Sequence, residues 1–289
     1  MCRLLGIAAS EPTDFRIVLR DMPRSLAALS EKHPDGWGLA VFADETTRWS
    51  VKRGTETAHK DQEFHACAGG SRGVLLVSHI RLKTVGPTSI CNTHPFESDG
   101  WVFAHNGTIK DLPFLRSRVS EARLARVRGD TDSELLFAWL LTELDRAGVT
   151  QIEGGEPESV DGRGSEGLVD DVVARVVREV QAHTDLGAVN FLLSNGRVMY
   201  AHRLGRTLFI LSRGPHDEVR RERTSEDGMT VYTPWSQRRQ AVFIASERMT
   251  DEPWEEVAEG QLLRIDRFPQ PSLRIMAVAE RRAGPVSAA

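Results

Sequence analysis

Tyrosine and lysine are scarce in this chain of 289 residues: there are 2 Tyr, and Lys stands only at 32, 52, 60, 83 and 110. Arg therefore supplies almost all the positive charge, which reflects base composition before it reflects binding. Basic and acidic residues nearly balance at 37 against 41, a net charge of −4. That excludes the single-sign field by which nucleic acid or an anionic membrane is held. Cysteine is limited to Cys2, Cys67 and Cys91, too few for a disulfide framework. No apolar run approaches the ~20 residues of a membrane-spanning helix. The apolar stretch after Arg3 is too short for a secretory leader, and Glu11 and Asp14 come directly after it. These absences predict a cytoplasmic protein with neither a nucleic-acid nor a membrane partner.

What is present is ordinary globular composition, 40% hydrophobic and 27% charged. Short apolar segments rich in Val, Ile, Leu and Phe predict strands over 4–9, 37–43, 74–79, 101–105, 189–194, 198–202, 207–212, 241–246, 261–266 and 273–277. Asn195-Gly196 between two of them is a hairpin turn signal. Valines at 169, 172, 173, 176, 177 and 180 have helical spacing, so a helix is expected over 168–183. A second helix is expected over 133–145, capped by Thr131 or Asp132, with others within 12–31 and 111–126. The Gly-rich polar stretch near 150–167 reads as a mobile loop, and the residues after 281 as a frayed tail. Strand runs flanked by helices predict stacked sheets with helical covers.

Five places carry residues of chemical interest. Removal of Met1 would give Cys2 a thiol and a free α-amino group together, a nucleophile beside a base whose reference pKa is about 7.7–8.0. The plain alternative is a cysteine that happens to follow the initiator. Asn106-Gly107 after a strand offers a side-chain N–H and an approachable backbone, the parts of an oxyanion hole, or simply a turn. Arg81 at a strand end can grip a carboxylate bidentately, or make a surface ion pair. Asp132, in Gly129-Asp130-Thr131-Asp132-Ser133-Glu134, is either a helix-start acid or a ligand for an ammonium group. Asp35-Gly36-Trp37-Gly38 turns into a strand where glycine allows close approach. His79, Cys91 and His94 fit no zinc spacing, and neither metal nor cofactor is expected.

Taken in order, Met1-Cys2-Arg3-Leu4-Leu5-Gly6, Asp35-Gly36-Trp37-Gly38, His79-Ile80-Arg81, Asn92-Thr93-His94-Pro95, His105-Asn106-Gly107, Thr131-Asp132-Ser133-Glu134 and Asn190-Phe191-Leu192-Leu193-Ser194-Asn195-Gly196 resemble the class II glutamine amidotransferases. These are N-terminal-nucleophile hydrolases, and the nearest likeness is to their stand-alone YafJ-like branch. The resemblance implies an α+β fold, a single-domain four-layer αββα sandwich, with the type 2 amidotransferase domain over 1–268 and a C-terminal strand and tail over 269–289. It implies Cys2 as nucleophile, Asn106 and Gly107 as oxyanion hole, Arg81 for the substrate α-carboxylate and Asp132 for its α-ammonium. His94 would line the same pocket, and Trp37 and Gly38 would sit near Cys2. The expected activity is hydrolysis of a γ-glutamyl amide through a Cys2 thioester, giving glutamate and ammonia or an amine. Two alternatives stand beside it: a glutaminase subunit feeding ammonia to a separate synthase, and a silent γ-glutamyl-binding module.

Overall fold

The computed structural model describes residues 2–43, 48–150, 158–159, 165–214, 222–224, 230–232 and 239–278. The apolar runs form strands β1 (Arg3–Asp14), β2 (Trp37–Phe42), β3 (Trp49–Gly54), β4 (Arg72–Ile80), β5 (Phe96–Ser98), β6 (Trp101–Ile109), β7 (Gly187–Ser194) and β8 (Val198–His202). They continue with β9 (Phe209–Arg213), β10 (Ala241–Ala245), β11 (Glu255–Glu256), β12 (Leu262–Asp266) and β13 (Ser272–Met276). The two large sheets have seven strands in the order β11-β9-β10-β1-β4-β2-β3 and six in the order β13-β12-β8-β7-β6-β5, and two short ribbons pair Val149–Thr150 with Glu158–Ser159 and Glu222–Thr224 with Thr230–Tyr232. Every neighbouring pair is antiparallel.

Alternation along β1 shows how the layers arise. Leu4 and Ala8 point into the space between the sheets, where they meet Leu192, Met199 and Leu263. Leu5, Ile7 and Ala9 point the other way, onto Leu26 of α1 (Leu26–Ser30) and Phe64 of α2 (Gln62–Gly70). The six-stranded sheet repeats the scheme: Phe103, Val189, Phe191 and Tyr200 face outward against helices. Those helices include α5 (Asp132–Arg146), through Leu136 and Trp139, and α6 (Ser165–Ala182), through Val173, Val176 and Val177. The result is helix, sheet, sheet, helix, the αββα order in an α+β fold.

The segment 12–31 forms a π-helical turn, Ile17–Asp21, besides α1. The segment 111–126 divides into α3 (Leu112–Arg118) and α4 (Glu121–Leu124). Asn195 closes the expected hairpin by accepting the Arg197 and Val198 N–H groups, with Gly196 at φ +87°. The strand expected after 268 is β13, the edge of the six-stranded sheet, paired with β12. Met1, most of the loop near 150–167 and the tail from 279 lie outside the described residues. Among the described residues no helix is long and apolar enough to cross a membrane.

Candidate active site

Cys2 stands directly ahead of β1, and Arg81 directly behind β4. The pairing Arg3↔Ile80 sets those two ends side by side. The Cys2 thiol bonds to the Leu82 carbonyl oxygen at 3.3 Å and takes the Leu82 N–H at 3.3 Å. Burial pushes the thiol pKa up, against smaller opposing pulls from the Leu82 bond and from the Arg81 and Arg3 charges. The resting group is therefore a thiol that must lose its proton to react.

Arg81 is only 3% exposed. Its backbone is fixed by the Asp35-Gly36 turn: Arg81 N–H donates to Gly36 O at 2.8 Å, and Asp35 N–H donates to Arg81 O at 3.2 Å. Gly36 holds φ +125°, a conformation open to glycine. The guanidinium Nη2 donates to Val85 O at 3.0 Å, while Nη1 is buried with no hydrogen-bond partner. A buried cationic N–H without an acceptor is costly unless something else supplies one.

Asp132 opens α5, whose cap is Thr131, the side chain accepting Glu134 N–H at 3.2 Å. One Asp132 oxygen accepts Ile109 N–H from the end of β6 at 2.6 Å, which ties the helix start to the sheet. The carboxylate is 3% exposed and sits at the positive end of the helix. Glu134 adds support by accepting the Arg128 and Gly129 N–H groups.

Cys2, Arg81, His94, Gly107 and Asp132 line one pocket together. His79 and His105 line it as well. The His79 and His94 rings lie 4.3 Å apart between centroids. Burial drives His79 down to about 3 and His94 well below the usual histidine value, so both are neutral. His94 has no hydrogen-bond partner at either nitrogen, and His79, beside the His105 backbone, makes no bond of ordinary geometry. Burial also lowers His105, against the raising pull of Asp132, and its ring bonds Ser133 Oγ at 2.8 Å and Ala188 O at 3.1 Å. Asn92, fully buried, donates to Pro87 O at 3.0 Å and accepts Asp130 N–H at 2.8 Å, joining the loop beyond Arg81 to the approach of α5. Among the described residues no group of three His, Cys, Asp or Glu side chains is arranged to hold a metal.

Three of the expected site residues are not among those lining the pocket. Asn106 points to the face of β6 opposite His105, and its Nδ2 donates to Ser246 Oγ at 3.3 Å. Trp37 is fully buried in the outer core, packed edge-on against Phe64 at 5.2 Å and donating to Asp61 at 2.7 Å. Gly38 acts through space: a Cβ there would lie 1.9 Å from His94 O, so the bare glycine lets the His94 segment rest on β2. In the other direction, Leu82, Thr84 and Val85 line the pocket without a signal in the sequence. His105 is the residue that strand alternation could have found, two positions from the outward Phe103.

The double-sheet sandwich between helical layers is a known class of fold. A solved structure described as a predicted glutamine amidotransferase from Pseudomonas aeruginosa PA01 shares it, with a TM-score of 0.61 at 21% identity over 95% of this chain and 99% of that one. The model of the family "Glutamine amidotransferases class-II" matches residues 1–276, and the chain belongs to that family of enzymes. The protein named "Putative glutamine amidotransferase" of Haemophilus influenzae is 27% identical over 267 residues, 90% of this chain and 82% of that one. The Escherichia coli protein named YafJ is 28% identical over 225 residues, 74% of this chain and 78% of its own.

Proposed function

We propose that the enzyme hydrolyses a γ-glutamyl amide through a thioester on Cys2. The observation that carries this reading is the shared pocket: a thiol, an unpartnered guanidinium nitrogen on Arg81 and the Asp132 carboxylate face one space. A glutamyl group offers an α-carboxylate to Arg81, an α-ammonium to Asp132 and its side-chain carbonyl to sulfur. With Cys2 as the mature N-terminus, sulfur attacks the carbonyl carbon and the thiol proton passes to the α-amino group. The amine takes this part because its reference pKa is about 7.7–8.0, whereas a histidine held near 3, like His79, accepts no proton at neutral pH. Gly107 N–H and the Asn106 amide carry the negative charge on the carbonyl oxygen. Collapse breaks the carbon–nitrogen bond, and the leaving amine departs with the proton. Water then adds to the thioester, the carbon–sulfur bond breaks, and glutamate and free thiol result.

A second reading, a glutaminase subunit for a separate synthase, is favoured by one feature: the Asn106 amide is turned to Ser246 and away from the pocket. An oxyanion donor held aside is the restraint a partner would relieve. Glutamate release from a panel of γ-glutamyl amides, free glutamine included, distinguishes the two. The purified protein is expected to release glutamate alone, and Cys2→Ala to release none. Silence on the whole panel until a synthase is added would establish the subunit reading.

A further inference from the structure

The oxyanion chemistry proposed above needs an N–H of Asn106 aimed at the reacting carbonyl oxygen. In the structure that amide has one bonded neighbour at its tip, Ser246. Ser246 follows the end of β10 and is 4% exposed. Its backbone is fixed on both sides: Ser246 N–H donates to Leu4 O at 3.1 Å, and Thr207 Oγ1 donates to Ser246 O at 2.9 Å. Its hydroxyl oxygen accepts Leu4 N–H at 2.8 Å and Asn106 Nδ2–H at 3.3 Å. The next residue, Glu247, holds Arg3 at 2.9 Å. One short segment thus grips the strand immediately behind Cys2 and, across the sandwich, the side chain of β6 on which the oxyanion depends.

An asparagine amide occupies the same volume after a half-turn about its last bond, with donor and acceptor ends exchanged. As placed, Ser246 Oγ accepts twice and its own proton reaches neither partner. After the half-turn, Ser246 O–H donates to Asn106 Oδ1, and the NH₂ end is no longer held by Ser246. The hydroxyl serves both orientations because it can donate as well as accept, while Leu4 N–H keeps its acceptor throughout.

We propose that Ser246 is the positioning residue of the oxyanion donor: its hydroxyl sets which end of the Asn106 amide faces the reaction, and locks that choice to the strand carrying Cys2. The inference rests on the proposed roles of Cys2 and Asn106. It is tested with Ser246→Ala, Ser246→Thr, Asn106→Ala and the Ser246→Ala/Asn106→Ala double variant. The readouts are glutamate release and the rate at which iodoacetamide alkylates Cys2, a reaction that needs no oxyanion hole. Removing an oxyanion donor costs on the order of 10²–10³ in kcat. Ser246→Ala is expected to lose about tenfold or more of kcat by misdirecting that donor, with KM and the alkylation rate little changed. Ser246→Thr, which keeps the hydroxyl, should restore most of the loss. The double variant should be no slower than Asn106→Ala alone, since Ser246 acts through Asn106. Should Ser246→Ala not fold, Ser246→Gly, which also removes the hydroxyl and adds no thiol, gives the same comparison. Wild-type kcat in Ser246→Ala, multiplied losses in the double variant, or a loss matched by slower alkylation would each overturn the inference. Full activity in Asn106→Ala would instead remove the oxyanion reading itself.

Discussion

Asp132 uses one carboxylate for two tasks that substitution can separate. One oxygen holds the buried Ile109 N–H at 2.6 Å, and the charge faces the pocket. Asp132→Asn keeps an acceptor for Ile109 and loses the charge. Asp132→Ala loses both and strands a buried N–H, at roughly 1–3 kcal/mol. The expected outcome is that Asp132→Asn melts like the parent but binds γ-glutamyl substrates weakly, while Asp132→Ala is weaker in both respects. Arg81→Lys should fall by about 10²-fold in kcat/KM, because a point charge cannot present the fork that aligns the amide with sulfur. Steady-state kinetics beside thermal melts check both. If Asp132→Asn turns over with parental KM, its carboxylate does not bind the ammonium. At this scale the sequence pointed to Cys2, Arg81 and Asp132 because each lies in a motif, and the structure brings the three to one pocket. Ser246 had no such signal, because a lone serine after a strand has no local pattern, and only its hydrogen bonds to Leu4 and Asn106 set it apart.

Glycine at two positions shows how the elements constrain the site differently. A methyl group at Gly38 would meet His94 backbone oxygen at 1.9 Å and Pro95 Cδ at 2.8 Å. At Gly6 the nearest atoms are the Met199 sulfur at 2.8 Å and Leu192 Cδ1 at 3.0 Å, the movable ends of side chains. Gly38→Ala is therefore expected to displace the His94 segment and cost activity together with about 1–3 kcal/mol or more of stability. Gly6→Ala should cost less and leave turnover nearly intact. Urea unfolding midpoints and glutamate release on the two variants decide it, and equal effects would mean the His94 segment is free to move. The expected strands mostly formed because nearly all-apolar runs such as Val74-Leu75-Leu76-Val77 have no stable place except between two layers. β3 escaped because it is an edge strand, Trp49-Ser50-Val51-Lys52-Arg53-Gly54, with Ser50 and Lys52 exposed. α2 escaped because Ala66-Cys67-Ala68-Gly69-Gly70 is a weak helical end, and its start is fixed by Asp61 accepting Glu63 N–H at 2.8 Å.

The whole molecule buries several neutral histidines, which links its stability to pH. His202 accepts at one nitrogen from Gln181 at 3.3 Å and donates at the other to Val189 O at 2.8 Å, a bonding pattern of the neutral ring. Burial lowers it to about 4, and His79 to about 3. An unfolded histidine titrates near 6.5. Below that value the unfolded chain takes up protons that the folded chain refuses, so stability is fully present above about 6.5 and falls with decreasing pH toward the folded values. At pH 5 each such residue costs on the order of 2 kcal/mol. Asp99, held to about 2 by Arg126 and Arg123 against its burial, adds a loss of the same sign below its ordinary value near 3.8. Melting temperatures should be flat from pH 8 to 6.5 and drop steeply by pH 4.5. An unchanged melting temperature at pH 4.5 would show that the buried rings find a way to ionise in place.

The strand behind Cys2 has its two neighbours from distant parts of the chain. β4 supplies one side early, but β10 supplies the other, and Leu4 and Ser246 are separated by 242 positions. On the ribosome β1 therefore waits with a bare edge until Ala241–Ala245 has emerged, and only then can the seven-stranded sheet close around it. A nascent chain that stops short of β10 already holds Cys2, Arg81 and Asp132, but it lacks Ser246, which ties the strand behind Cys2 to Asn106. Between the making of β1 and of β10, one edge of β1 stays open to pairing with another chain.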